Sequence, residues 1–480
     1  MIPFNNTYAK LPSRFHSATT PAKSPAPTLI EVNDELAKEL GIDPEWLRTE
    51  QGLAVLSGNA IAEGSEPISQ AYAGHQFGGF SPQLGDGRAV LLGEVIDVNG
   101  NQKDIQLKGS GRTAYSRGGD GKSALGPVIR EYLMSEAMHA LGVPTTRALA
   151  AVTTGEKVRR ETPQDGGIFT RVASSHLRVG TFQFFAARED KEALTILTDY
   201  ALKRHYPNAE NSPIPAINLL NAVMSAQVKL VAQWMSLGFI HGVMNTDNSS
   251  ISGETIDYGP CAFMDEFHPQ CVFSAIDRDA RYAWGNQAPI AHWNLTRLGE
   301  ALLPVIDDDQ DKAIALVEQT LNKFSDEFLQ HYLTNYSNKF GLKEGTAIEF
   351  IQDSLAMLAE EHIDYTLFFT YLTDYVEDET SLANFESLFA DNDICQQWLA
   401  DWKLRHDPAK LDTMQNTNPV LIPRNHQVEQ AIQQAYQGDF TLFHRLNQAW
   451  KTPYQKSNNN QDLQLPPTKD QRVLQTFCGT

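Results

Sequence analysis

The chain has 480 residues, long enough for several domains, with 41% hydrophobic and 20% charged side chains, an ordinary globular composition. Its formal net charge of -20 argues against a protein that coats nucleic acid, while leaving room for a local basic pocket. No window approaches the roughly 18 apolar residues of a membrane span, MIPFNNTYAKLPSRF lacks a signal-peptide pattern, and four scattered cysteines build no disulfide framework, so a cytoplasmic protein without a membrane partner is expected.

Residues 1–70 mix short helical pieces with connections carrying Pro21, Pro25 and Pro27. Apolar runs over 88–95 and 104–108 predict two strands joined by a turn at Asn99-Gly100. A glycine-rich loop follows, then a helix expected over 128–141, closed by Gly142 with Pro144 just beyond. Strand signals resume at 148–152 and 167–172, which reads as a small sheet with one main helix. From about Asn218 the pattern is mostly helical. Ile314, Val317, Leu321, Phe324, Phe328 and Tyr332 recur at three- and four-residue spacing, one face of an amphipathic helix, and similar faces run over 347–369, 382–402 and 426–450. The last thirty residues are polar and are expected to form an extended tail.

Gly85-Asp86-Gly87-Arg88, ahead of a strand, reads either as a hairpin turn or as a phosphate-binding loop. The denser run from Lys108-Gly109-Ser110-Gly111-Arg112 through 116–122 favours phosphate, because glycines let backbone N–H groups approach its oxygens. Lys108 ends a strand and Glu131 lies on the next helix, a spacing compatible with a lysine–glutamate pair that holds phosphates. Arg171 and Arg178 bracket RVASSHLR, either as a surface ion-pair network or as a bidentate phosphate clamp.

The strongest signal is HGVMNTDNSSISGETIDYGP at 241–260. Kinases carry a loop that opens His-Gly/Arg-Asp and ends in Asn, followed by a metal-binding Asp before a Phe/Tyr-Gly pair. Here His241-Gly242 opens the loop, Asn248 takes the Asn position and Asp257 precedes Tyr258-Gly259. Val243 stands where the catalytic Asp would be, and a valine takes no proton from a hydroxyl. Asp247 is the substitute carboxylate. Asn248 and Asp257 are hard oxygen ligands of the kind that suit Mg²⁺ or Mn²⁺. The bland alternative is an Asx-rich turn, and the flanking His-Gly and Asp-Tyr-Gly at kinase spacing weigh against it.

Longer stretches carry a resemblance: YAGHQFG at 72–78, QLGDGRA at 83–89, QLKGSGRT at 106–113, SEAMHALG at 135–142, PTTRAL at 144–149 and HGVMNTDN at 241–248. With Asn418-Pro419, Arg424-Asn425 and Cys478 near the C-terminus, they resemble the selenoprotein O (YdiU) family of adenylylating pseudokinases over nearly the whole chain. The resemblance implies an α+β, protein-kinase-like two-lobed fold. In it, 1–70 is an N-terminal extension, 71–200 an N-lobe with glycine-rich nucleotide loops, 201–300 a C-lobe core, and 301–480 a helical C-terminal region with a polar tail.

The implied activity is protein adenylyl transfer, with ATP bound in an inverted orientation and AMP moved to Ser, Thr or Tyr hydroxyls, dependent on Mg²⁺ or Mn²⁺. Position by position, Asp247 would accept the proton, and Asn248 and Asp257 would hold the metal. Lys108 (paired with Glu131), Arg171, Arg178 and Asp257 would contact ATP, with Gly85, Gly87, Arg88, Asp120 and Gly121 completing its pocket. Ser249, Ala114, Lys122 and His176 depart from the usual Met, Pro, Arg and Phe without removing a ligand. Cys271, fourteen residues beyond Asp257, and Cys478 form a candidate redox pair, the alternative being a lone exposed thiol at Cys478. Competing functions are uridylyl transfer from UTP, an authentic kinase, and a catalytically dead nucleotide-binding scaffold. The missing Asp at 243 counts against the kinase, and the retained Lys108, Asn248 and Asp257 count against the scaffold.

Overall fold

An eight-stranded sheet with a few helices between its strands fills residues 16–173 and mostly helices follow, a mixed architecture of α+β type; the computed structural model describes residues 1–209 and 212–477. The strands of the sheet are β1 (His16–Ala18), β2 (Thr28–Val32), β3 (Ile68–Gln70), β4 (Ala89–Ile96), β5 (Gln102–Lys108), β6 (Ser123–Ala124), β7 (Arg147–Arg159) and β8 (Pro163–Ala173). They lie in the order β1-β3-β4-β5-β8-β7-β2, with β6 on β8, and all pairings are antiparallel. The turn at Asn99-Gly100 joins β4 to β5. Asp97 Oδ1 accepts from the Asn99 and Asn101 N–H groups at 2.9 and 2.8 Å, and Gly100 takes a φ of +86°, which glycine alone adopts freely. The first 70 residues contribute β1, β2 and β3, so they are hydrogen-bonded into the same sheet.

Both faces of the sheet are buried. On β8, Ile168 and Val172 pack into a core with Leu36, Leu47 and Leu107, while Phe169 points into the larger core with the helices, the period-2 alternation of a strand. Helix α1 (Leu125–Ala140) lies on β7 and β8, and its other side is covered by helices Asn425–Ala435 and Thr441–Ala449. It is therefore buried nearly all round, which puts Glu131 inside the protein rather than on its surface.

The long apolar faces divide more than their periodicity predicts. The face from Ile314 to Tyr332 is two helices, Gln310–Leu321 and Phe324–Phe340. The first packs on helix Gln287–Ile306 and also reaches helix Pro215–Ser236, on which the second lies. The other three faces split at local stop signals that overrule the period. Asp364 and Asp391 act as N-caps, accepting from the Leu367 and Asp393 N–H groups, and Gly438 turns the chain at φ +81°. The C-terminal tail is also not simply extended. Leu463 and Thr476 are buried, Arg424 Nε donates to the Gln464 carbonyl at 3.0 Å, and the Thr476 N–H donates to Phe273 O at 2.7 Å. A few anchors among polar residues suffice to dock it. Among the described residues no helix is long and apolar enough to cross a membrane.

Lys339, on helix Phe324–Phe340, is 2% exposed, with Nζ 4.1 Å above the Phe369 ring. It makes no ion pair among the described residues, and burial lowers its amine to about 7 from the ordinary 10.5. Between those values the unfolded chain binds more protons than the folded one, so this group makes stability rise with pH from about 7 toward 10.5. Lys339→Met is expected to raise stability at neutral pH by on the order of 1–3 kcal/mol and to flatten that rise. Denaturation midpoints for parent and variant between neutral pH and pH 9 check both.

Candidate active site

A cleft of about 1000 Å³ opens between the sheet and the loops at 243–260. Gly85, Gly87, Arg88, Lys108, Asp120, Gly121, Glu131, Arg171, Arg178, Asp247, Asn248 and Asp257 all line it. Its lining holds ten Lys and Arg against five Asp and Glu, a cationic surface inside a chain of net charge -20.

Asp257 is the hub of its floor. Its Oδ1 accepts from Lys108 Nζ at 2.5 Å and from Arg171 Nη1 at 2.8 Å, and its Oδ2 stands 3.5 Å from Arg178 Nη1. Burial opposes its ionisation, but Lys108, Arg171 and Arg178 outweigh burial and hold the carboxyl well below the usual carboxylate range. Lys108, at the end of β5, also donates to Glu131 Oε2 at 2.6 Å, and Arg171, on β8, reaches Glu131 Oε1 at 3.2 Å. Gln106 Oε1 takes two more Arg171 donors, at 2.7 and 3.2 Å, so Arg171 is held from every side. Lys108 Nζ has three donors and spends two on carboxylates, leaving one for a ligand.

Arg178 precedes helix Val179–Ala186 and is less spent. Nη1 donates to the Asp247 carbonyl at 2.9 Å, the guanidinium lies 4.5 Å from the Tyr72 ring centroid, and Nε has no partner among the described residues. Asp86, in the Gly-Asp-Gly turn, backs it at 3.9 Å and is fixed by the Gln70 N–H and Gln106 Nε2 at 3.0 and 3.2 Å.

Asp247 and Asn248 share one tight turn, Thr246–Asn248, and neighbouring side chains reach the same cleft only because the backbone is neither helix nor strand there. A two-stranded hairpin, Gly74–Gln76 with Gly79–Ser81, is zipped onto that turn. The His75 N–H donates to Thr246 Oγ1 at 2.7 Å, Gln76 Nε2 to Asp247 Oδ2 at 3.1 Å and the Phe77 N–H to Asn245 Oδ1 at 3.1 Å. Asp247 Oδ1 is buried and has no hydrogen-bond partner among the described residues. Burial pushes the Asp247 carboxyl up to about 6, against the pull of Gln76 and Arg178. A side chain at Gly74 would displace Asp247, since its Cβ would lie 2.5 Å from Asp247 Oδ1.

His241 supports the site from behind. Its Nε2 donates to the Ile256 carbonyl at 2.9 Å and its Nδ1 accepts from the Val243 N–H at 3.3 Å, which sets the tautomer. It thereby holds the backbone just before Asp257, whose φ of +66° is unusual for a residue with a side chain. The glycine-rich loop lines the outer part of the cleft. Gly85 has φ +70° and lies against the Tyr115 ring, and Gly121 packs against the Gly111 carbonyl, where a Cβ would be 2.1 Å from the oxygen. Asp120 Oδ2 pairs with Arg160 at 3.0 Å.

These donors fit Mg²⁺ or Mn²⁺. Asn248 Nδ2 donates to the Val243 carbonyl at 3.1 Å, leaving its oxygen for a ligand. Asp257 is ionised and Asp247 Oδ1 is orphaned, so the set is hard oxygens without sulfur or imidazole. Residue-type reading alone passed over Gln76, Tyr72, Asp86 and Gln106, the side chains that hold Asp247, Arg178 and Arg171 in place. For Asp86 the one available signal was its place between two glycines.

Cys271 is half-buried, and burial pushes its thiol up to about 12. Cys478 lies outside the described residues. The last described residues reach that region, since the Ala275 N–H donates to Thr476 O at 3.0 Å.

Residues 1–451 match the family model described as Protein adenylyltransferase SelO. A protein named Protein nucleotidyltransferase YdiU from Nitrobacter hamburgensis is 53% identical, the alignment covering 100% of this chain and 96% of that protein. Proteins of the same name from Rhizobium leguminosarum bv. trifolii and Agrobacterium fabrum are 51% and 50% identical, over 100% of this chain and 97% and 100% of theirs.

Proposed function

We propose that this chain, which belongs to the SelO family and is a nucleotidyltransferase, moves AMP from ATP to a Ser, Thr or Tyr hydroxyl of an acceptor protein and releases pyrophosphate. Asp247 carries the reading. Its Oδ1 is buried without a hydrogen-bond partner among the described residues and its pKa is raised; Asp86 shares both properties but stands behind the Arg178 guanidinium at 3.9 Å, whereas Asp247 lies beside Asn248 in the loop where Val243 leaves the usual kinase position without a base. The acceptor O–H proton passes to Asp247 as the oxygen bonds the α-phosphorus. The bond from that phosphorus to the α–β bridging oxygen breaks, and pyrophosphate leaves with the electron pair. Asn248 and Asp257 would hold Mg²⁺ or Mn²⁺, which neutralises phosphate charge when bound. Lys108, Arg171 and Arg178 bind the terminal phosphates, and Glu131, Gln106 and Asp86 keep these cations oriented.

In this reading strands β4 to β8 with α1 form a kinase-like N-lobe within 71–200, the 201–300 segment is the C-lobe core, and 1–70 and 301–480 are extensions, the first of which adds β1, β2 and β3 to the same sheet. Because the arginines read the β- and γ-phosphates, Arg178→Gln and Arg171→Gln each weaken ATP far more than AMP, measured by calorimetry; equal losses would remove them from the terminal phosphates. Cys271 and Cys478 are assigned redox control of access, checked by non-reducing peptide mapping alongside activity before and after reduction. The deciding experiment is incubation with an acceptor and ATP labelled on the α- or γ-phosphate, with UTP as competitor. Transfer of α-label supports adenylyl transfer, γ-label would make the chain a kinase, and preferred use of UTP would make it a uridylyltransferase.

A further inference from the structure

The floor of the cleft balances its charges, since Lys108, Arg171 and Arg178 face Glu131, Asp257 and Asp86. The outer lip does not. Lys122, Lys157 and Arg160 are paired there with Glu156, Asp165 and Asp120 at 2.5, 2.8 and 3.0 Å. Arg112 and Arg117 of the glycine-rich loop and Arg159 at the end of β7 line the same lip, are exposed, and make no ion pair among the described residues. Arg112 donates only to the Gly118 carbonyl, at 3.3 Å. Arg117 adopts φ +47°, and Gly118 and Gly119 follow it, so the loop presents its cation away from the chain's own carboxylates. Ile276, 59% exposed, also lines the cleft.

We propose that this lip docks an acidic segment of the acceptor protein and delivers its hydroxyl to Asp247; the inference rests on the protein-transferase reading above. A chain of net charge -20 repels an acidic partner on average, and an uncompensated cationic patch draws it to one place, so the field both guides the encounter and favours the site. Ile276 gives the segment one apolar contact beside its charges. Single-stranded RNA is the other polyanion to consider, and the lining favours the peptide: Tyr72 is buried and Phe77 and Tyr115 are half-buried, so no exposed ring offers a stacking platform.

The test uses the full chain and three labelled probes: a random Glu/Tyr copolymer, a Lys/Tyr copolymer and a single-stranded RNA oligonucleotide. Fluorescence anisotropy is expected to show the Glu/Tyr copolymer binding best, and more weakly as salt rises. The triple variant R112E/R117E/R159E should weaken that binding roughly tenfold or more and weaken ATP by a clearly smaller factor, since the same charges stand at the mouth of its cleft. The neutral triple R112Q/R117Q/R159Q should lie between variant and parent. Equal binding of the two copolymers, tighter binding of RNA, or unchanged binding by both triples would overturn the proposal. So would an equal loss of ATP affinity, which would give the lip to the nucleotide. Label transfer from α-labelled ATP is read in parallel on both copolymers. If the Glu/Tyr copolymer binds and no acceptor is labelled, the transferase reading fails and the docking surface stands. If acceptors are labelled without acidic preference, the docking surface fails alone.

Discussion

Asp257→Asn is expected to abolish nucleotidyl transfer, by roughly 10³-fold or more, and to remove the dependence of ATP binding on Mg²⁺ or Mn²⁺. The same change should destabilise the free protein. Asp257 Oδ1 takes Lys108 and Arg171 at 2.5 and 2.8 Å, and Arg178 stands 3.5 Å from Oδ2, so neutralising one carboxyl leaves three buried cations facing Glu131 and Asp86. Removing one partner of a buried ionic cluster costs about 3–5 kcal/mol. The uncompensated cations also give metal-free ATP a stronger anion site, so ATP binding without metal should hold or tighten while the added effect of metal disappears. Calorimetry of ATP binding with and without Mg²⁺ separates the two effects. If Mg²⁺ still tightens ATP on the variant as it does on the parent, Asp257 is not the metal ligand.

The parts of this site that could be read from the sequence are those written contiguously. His241 to Gly259 encodes a loop, a missing base and a paired Asn and Asp in one stretch, and β5 with α1 brings Lys108 to Glu131 over a short span. What holds those groups came from far along the chain. Gln76 reaches Asp247 across 171 positions, and Arg171 reaches Gln106 across 65. A long polar side chain such as Gln76 carries no local mark of that role. His241 opens that contiguous stretch in the sequence, and nothing there marks that its ring anchors the Ile256 carbonyl below the cleft. For the fold, β4, β5, α1, β7 and β8 followed from apolar pattern and turn residues. The joining of residues 1–70 to the sheet did not, because β1 and β3 are three residues each and too short to show a period. The tail misled for a related reason, as Leu463 and Thr476 are isolated anchors within a polar composition.

Asp247→Asn separates catalysis from support more cleanly than any other single change. The two side chains have nearly the same shape, and an amide oxygen still accepts from Gln76 Nε2, now 3.1 Å from Oδ2. Arg178 contacts the Asp247 backbone carbonyl rather than its carboxylate, so this arginine keeps its anchor. ATP should therefore bind the variant nearly as it binds the parent. Transfer should fall by about 10²–10⁴-fold, the usual contribution of a general base. The variant should also melt at a higher temperature, because it removes a buried carboxylate whose Oδ1 has no partner among the described residues. Lost activity with gained stability is what a group retained for chemistry produces; a structural Asp would lose both. Gly74→Ala probes the same side chain from outside, as its methyl, 2.5 Å from Asp247 Oδ1 and 2.9 Å from Cβ and Cγ, fits only if the whole Asp247 side chain shifts, which alters no charge. It should lower the turnover of bound ATP and leave ATP affinity alone. Near-normal transfer by Asp247→Asn would move the proton to another acceptor, and unchanged turnover in Gly74→Ala would show that the carboxylate position is not critical.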